Sequence, residues 1–152
     1  MTISAEEIRR RAEEIREQIR ADRRYLHQIP EIGTDLPQTS AYIKKKLDEL
    51  GIPWRDCGGR LPEKMTEDFV KAGFPRMEKE TGISAVIGKG EPCILLRADM
   101  DALPIREDND LEFRSVNGCG HMCGHDSHAA MLLGAAHILK GMEDRLEGTV
   151  KL

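Results

Sequence analysis

Three of the five histidines and two of the four cysteines of this 152-residue chain fall within ten residues, in the run Gly118-Cys119-Gly120-His121-Met122-Cys123-Gly124-His125-Asp126-Ser127-His128. Thiolate and imidazole are ligands for zinc and its first-row neighbours, and interleaved glycines let the backbone fold until neighbouring side chains converge on one ion. One glycine separates Cys123 from His125, so a bend at Gly124 can point both at the same metal or at a pair of metals. Asp126 is placed to cap the helix that follows and to orient His125 through its carboxylate. A second segment, Leu96-Arg97-Ala98-Asp99-Met100-Asp101-Ala102-Leu103-Pro104-Ile105, sets Asp99 and Asp101 just past an apolar run. Open α/β sheets bind ligands at that end of their strands. Spacing alone leaves three readings open: a divalent-metal site, a structural zinc knuckle of Cys119, His121, Cys123 and His125, and a thiol nucleophile at Cys123 with His125 as its base. No pairing of these ligands has zinc-finger spacing. His137 reads as a structural or surface residue.

Hydrophobic periodicity supplies the elements that must hold these side chains. Ser4-Ala5-Glu6-Glu7 is a capping box, in which the glutamate reaches back to the first residue of the turn. Behind it Ile8, Ala12, Ile15, Ile19, Leu26 and Ile29 form one apolar stripe, which predicts a single long charged helix ended by Pro30. A second helix is expected from Pro37 to Leu50, with Gly51 as its left-handed terminal residue, and a short one from Pro62 to Ala72. The alternating charges of residues 63–71 read as a solvated face. Ile83–Ile87 and Cys93–Ala98 are β-type runs, and Gly88-Lys89-Gly90-Glu91-Pro92 reads as a hairpin or adjacent-strand connection between them. Ile94-Leu95-Leu96, without alternation, predicts a strand buried on both faces. Ala129, Leu132, Leu133, Ala136 and Leu139 mark a helix over about 126–140, and Gly148–Leu152 begins a further strand.

Composition narrows the class. Residues 1–50 carry ten basic and ten acidic side chains, 51–100 eight and eight, and 101–152 five and nine, so the whole net charge of -4 sits beside the candidate cation site. No basic stripe remains to neutralise a phosphate backbone, which excludes nucleic acid as the expected partner. The longest apolar run, Ala129–Ala136, is far short of the ~20 residues that cross a bilayer, and the charged N-terminus has no apolar signal core. A cytoplasmic protein without membrane contact is the expectation. Cys57, Cys93, Cys119 and Cys123 do not form a disulfide framework.

Leu96–Ile105, followed by His121-Met122-Cys123-Gly124-His125-Asp126-Ser127-His128 and the apolar stretch to Ala136, resembles the metal-dependent amidohydrolases and peptidases. That family includes hippurate hydrolase, aminobenzoyl-glutamate hydrolase and the indole-acetyl-amino acid hydrolases. Leu26-His27-Gln28-Ile29-Pro30-Glu31, Leu50-Gly51-Ile52 and residues 81–88 are similar to it as well, which leaves 56–80 as an insertion. The resemblance implies an α/β three-layer sandwich, a mixed sheet with helices on both faces, carrying two divalent ions: zinc or manganese, with nickel or cobalt as further candidates. By that comparison Cys123 and His125 are metal ligands, Asp99 is a supporting catalytic residue, and His121, Asp126 and Asp101 hold the ligands from behind. The implied reaction hydrolyses the amide bond of an N-acyl amino acid or a related peptide-like small molecule. A glutamate deprotonates a metal-held water, which attacks the carbonyl.

The family's paired glutamates follow a strand like Gly148–Leu152, and no glutamate of residues 1–152 occupies the matching position. The resemblance therefore makes 1–152 the N-terminal part of a catalytic domain incomplete at its C-terminus. By the same resemblance the general base and a second domain for dimerisation or closure are expected outside residues 1–152, and the chain alone is expected to be inactive. The alternative is a non-catalytic metal-binding or interaction domain that keeps the fold. In either case an unpaired sheet edge predicts association with itself or with the missing portion.

Overall fold

One side-chain cap, proline and glycine residues, and packing between helices set the helix boundaries. The computed structural model describes residues 3–152. Among them the helices are α1 (Ala5–Glu14), α2 (Arg16–Gln28), α3 (Pro37–Glu49), α4 (Glu63–Lys71) and α5 (His125–Lys140). The strands are β1 (Trp54–Cys57), β2 (Gly82–Lys89), β3 (Cys93–Leu95) and β4 (Gly148–Lys151). Ser4 Oγ accepts the Glu7 N–H at 3.1 Å, which starts α1. The reciprocal arm of the capping box is not formed, because the Glu7 carboxylate is taken by Arg145, at 2.7 and 2.9 Å, and by Arg11. The Arg145 hydrogen bond outweighs desolvation and, with Arg11 adding to it, holds the Glu7 carboxyl down at about 2. Pro37 opens α3 and Leu50 closes it, with Gly51 following at φ +64, as the sequence predicts.

The single long helix expected from Ser4 to Ile29 is instead two, divided at Ile15 (φ -104, ψ 7). The ladder loosens without breaking: Ile15 N–H donates to Arg11 O at 3.3 Å and Ile19 N–H to Ile15 O at 3.0 Å. Packing explains the bend. Gly134 of α5 faces Ile19 and Ile15 so closely that a Cβ there would lie 2.6 Å from Ile19 Cδ1, and the chain turns at Ile15 to follow that surface.

The sheet has the order β1-β2-β4-β3, with β2 antiparallel to both β1 and β4, and β4 parallel to β3. Residues 88–92 are thus neither a hairpin nor an adjacent-strand link, since β4 enters between the two strands they join. The incoming strand uses that turn's own carbonyls: Thr149 N–H donates to Pro92 O at 2.9 Å and its hydroxyl to Gly90 O at 2.7 Å. β3 pairs on one side only, so the expectation that it is buried on both faces fails: Ile94 is 53% and Leu95 70% exposed. The covered face of the sheet presents Ala85, Ile87 and its register partner Val150, while Val86 points the other way. Leu26, Ile43, Leu47, Ala129, Ala130, Leu133 and Ala136 complete the core from α2, α3 and α5, with Ile52 from the link between α3 and β1. Each large aliphatic side chain so buried contributes about 1.5–3 kcal/mol. Residues 60 and 79 bridge to close the base of the excursion that holds α4, whose Thr66 hydroxyl donates to Met77 O at 2.9 Å.

Candidate metal centre

The chain leaves β3 through Leu96–Ala98 and carries Asp99 and Asp101 into a segment pinned at two places. Ala102 N–H donates to Glu31 O at 2.7 Å, and Leu103 and Gly120 exchange N–H···O bonds at 3.0 Å each. The second pair ties the acidic segment to the residues just before α5. Gly124, at φ +87, is the N-cap of α5 and turns the chain through a conformation that other residues rarely adopt. Asp126 therefore lies inside the first turn of α5, not at its cap.

That turn brings His125 and His128 onto Asp99. His125 Nδ1 lies 2.9 Å from both the backbone carbonyl and the Oδ1 of Asp101. Both oxygens only accept, so Nδ1 carries a proton, and Nε2 is the nitrogen turned toward Asp99 Oδ2, 3.6 Å away. His128 Nδ1 donates to the other Asp99 oxygen at 2.6 Å, and the two imidazole rings stack with centroids 5.4 Å apart. The His128 hydrogen bond, more than desolvation opposes it, holds the Asp99 carboxyl below the usual carboxylate range, and His125 and Arg97 add to the effect. One ligand atom from each of Asp99, His125 and His128 lies within 4.8 Å of the others, a donor set of carboxylate and imidazole that suits a divalent first-row metal. A cleft of about 340 Å³ opens beside Asp99 and Asp101, lined also by Gly33, Thr34, Gly58 and Arg97.

The remaining sequence-predicted residues are dispersed. Cys123 is exposed and lies outside the Asp99–His125–His128 group, and Cys119 is half-buried with its N–H donated to Asn117. The thiol and both histidines nonetheless share one turn of chain. The carboxylate that orients His125 is that of Asp101; that of Asp126 is turned into the interior, 2.7 Å from His27 Nδ1 and 2.8 Å from Arg23 Nε. His121 is buried with no hydrogen-bond partner on either ring nitrogen among the described residues, and burial pushes its imidazole down. Sequence reasoning missed His128 as a member of the group, although its place three residues after His125, on the same helical face, pointed to it. It also missed His27 and Glu107, which are brought to Asp126 from distant segments.

Comparison with known proteins shows what the chain as a whole is similar to. Residues 95–152 match peptidase family M20/M25/M40. The chain is 44% identical over 132 residues to the IAA-amino acid hydrolase ILR1-like 6 of Arabidopsis thaliana, covering 86% of this chain and 24% of that protein. It is 41% identical over 133 residues to the N-acetyl-L-cysteine deacetylase of Bacillus subtilis, covering 86% of this chain and 27% of that protein. Among solved structures, a dinuclear metal-binding peptidase of the M20 family from Bacillus subtilis superposes with a TM-score of 0.72 at 33% identity, covering 91% of this chain and 35% of that one. The chain thus spans about a quarter of the length of these curated relatives.

Proposed function

We propose that the chain, which matches peptidase family M20/M25/M40 over residues 95–152 and is similar over 86% of its length to an IAA-amino acid hydrolase and an N-acetyl-L-cysteine deacetylase, is the N-terminal part of the catalytic domain of a metal-dependent amidohydrolase. The bond it serves to cleave is the amide of an N-acyl amino acid or a related small peptide-like molecule. Residues 56–80 are an insertion in that domain. The observation that carries the reading is His125: its Nδ1 proton is committed to Asp101, so its Nε2 is presented as a ligand toward Asp99.

His125 and Cys123 would hold the metal, zinc or manganese by donor type, with Asp99 and His128 beside them and room for a second ion in the complete site. When bound, such an ion polarises a carbonyl and acidifies a water at neutral pH. The chain's own residues do the rest. Asp101 fixes the tautomer and the plane of the His125 ring, Asp99 supplies negative charge that attracts the cation, and Arg97, 3.3 Å from Asp99, lies at the edge of the adjoining cleft. We assign no general base within residues 1–152, so the isolated chain is expected to bind metal without turnover. The exposed side chains of β3 support self-association, or association with a further part of the domain, through that edge.

Metal content and hydrolysis of N-acetyl amino acids test this, for the chain alone and combined with a separately produced polypeptide that supplies a glutamate pair. Metal bound by the chain and turnover only in the combination, both lost in Cys123→Ala and His125→Ala, is the expected result. A folded chain with neither metal nor turnover under any of these conditions would replace the proposal by a non-catalytic interaction domain.

A further inference from the structure

His27 is buried in α2, and each of its ring nitrogens faces a carboxylate: Nδ1 lies 2.7 Å from Asp126 Oδ2 and Nε2 lies 2.8 Å from Glu107 Oε1. A neutral imidazole has one N–H, and an ionised carboxylate only accepts, so the ring satisfies both contacts only as the imidazolium. The surrounding charges agree. Glu107 opposes its own burial with hydrogen bonds from His27, from the Ser115 N–H at 2.6 Å and from Asn109, which together hold its carboxyl at about 2. Asp126 on α5 also has the Arg23 guanidinium 2.8 Å from the same oxygen that His27 meets. Two carboxylates thus face two cations, and among the described residues the other titratable ring against His27 is His121, with centroids 6.2 Å apart. Phe113 closes the assembly edge-on at 5.6 Å.

Three separate stretches of chain meet on this one ring: α2, the loop of Glu107 and Ser115, and the first turn of α5. Asp126 is fixed at both ends, since its Oδ1 accepts the Ser127 N–H at 2.8 Å while its Oδ2 meets His27 and Arg23. A helix turn whose second residue is fixed cannot rotate about its axis, and the residues on either side of Asp126 are His125 and, two further on, His128. We propose that His27, as an imidazolium clamped between Glu107 and Asp126, is a positioning residue that sets the rotation of the α5 N-terminus and so aims His125 and His128 at Asp99. The proposal rests on the metal reading of that turn for its effect on affinity, and on geometry alone for its effect on the rings.

The test uses the whole chain, the variants His27→Gln and Glu107→Gln, and the control Asp22→Asn. Asp22 is an equally buried polar group of α2, held by Gln18, Tyr42 and Lys46 and by none of the residues around His27. Ring-nitrogen NMR of the metal-free chain at neutral pH should show His27 protonated at both nitrogens; a single protonated nitrogen would overturn the clamp. In folded variants, His27→Gln should move the ring signals of His125 and His128 and weaken Co²⁺ binding about 10–100-fold, and Glu107→Gln should do so in the same direction to a smaller degree. Asp22→Asn should change neither. Unmoved rings in whichever site variant folds, or equal movement in the control, would sink the positioning role. If the unsubstituted chain binds no Co²⁺, the metal reading falls, and the ring signals still decide the role of His27.

Discussion

Asp101 decides which nitrogen of His125 is left for a metal. In Asp101→Asn the acceptor beside Nδ1 loses its charge and the amide can flip to present a donor, so the ring is no longer held in one tautomer. Metal affinity should fall about 10–100-fold in a competition titration against a chromophoric chelator, with the fold unchanged by circular dichroism. His128 acts on the neighbouring group. Its hydrogen bond is the largest cause of the lowered Asp99 carboxyl, so in His128→Ala the Asp99 carboxyl should titrate at higher pH by carbon NMR. The sign for stability follows: a depressed carboxylate stabilises the folded chain above its unfolded value, and that contribution disappears as pH falls through the folded value. The alanine variant should therefore be less stable than its parent at neutral pH, and the difference should shrink as pH falls through the range where the parent's Asp99 titrates.

Between helices, one close constraint is the approach of α2 to α5 at Gly134, where Ile19 occupies the space of an absent side chain. Gly134→Val should overpack this seam and destabilise the chain by about 1–3 kcal/mol in urea unfolding. The same contrast between local and distant causes decides what could be read before the fold was known. The ends of α3, α4 and α5 were legible because proline, glycine and short-range hydrogen bonds act within a few residues. The bend at Ile15 was not, because its cause lies on α5, more than a hundred residues away. The candidate site divides in the same way. Cys123, His125 and the two aspartates stand out by their types and spacing, whereas His27 looks like one more polar residue of a charged helix until Asp126 and Glu107 are folded against it. The hairpin expected at residues 88–92 failed for the related reason that the strand dividing β2 from β3 comes some sixty residues later.

For the molecule as a whole, acid should act through Glu7 and Glu107, both held at about 2 in the folded chain. Both bind protons in the unfolded chain near 4.5, so the thermal midpoint should be steady above about pH 5 and fall as pH drops from about 4.5 toward 2. Glu107→Gln should flatten part of that slope; an identical slope would assign the acid sensitivity elsewhere. The exposed edge at β3 predicts concentration-dependent association, which Leu95→Lys should reduce in sedimentation velocity by setting a charge on the pairing surface. The position of β4 has a consequence for synthesis. Ile87 pairs with Val150, so β2 and β3 leave the ribosome with an open ladder between them and wait for a strand still to be translated. At about 5–20 residues per second that interval is on the order of 3–12 s, long enough for chaperones to engage the bare apolar faces. Nascent chains stalled before residue 148 should therefore remain protease-sensitive across β2, and become resistant only once β4 has cleared the exit tunnel.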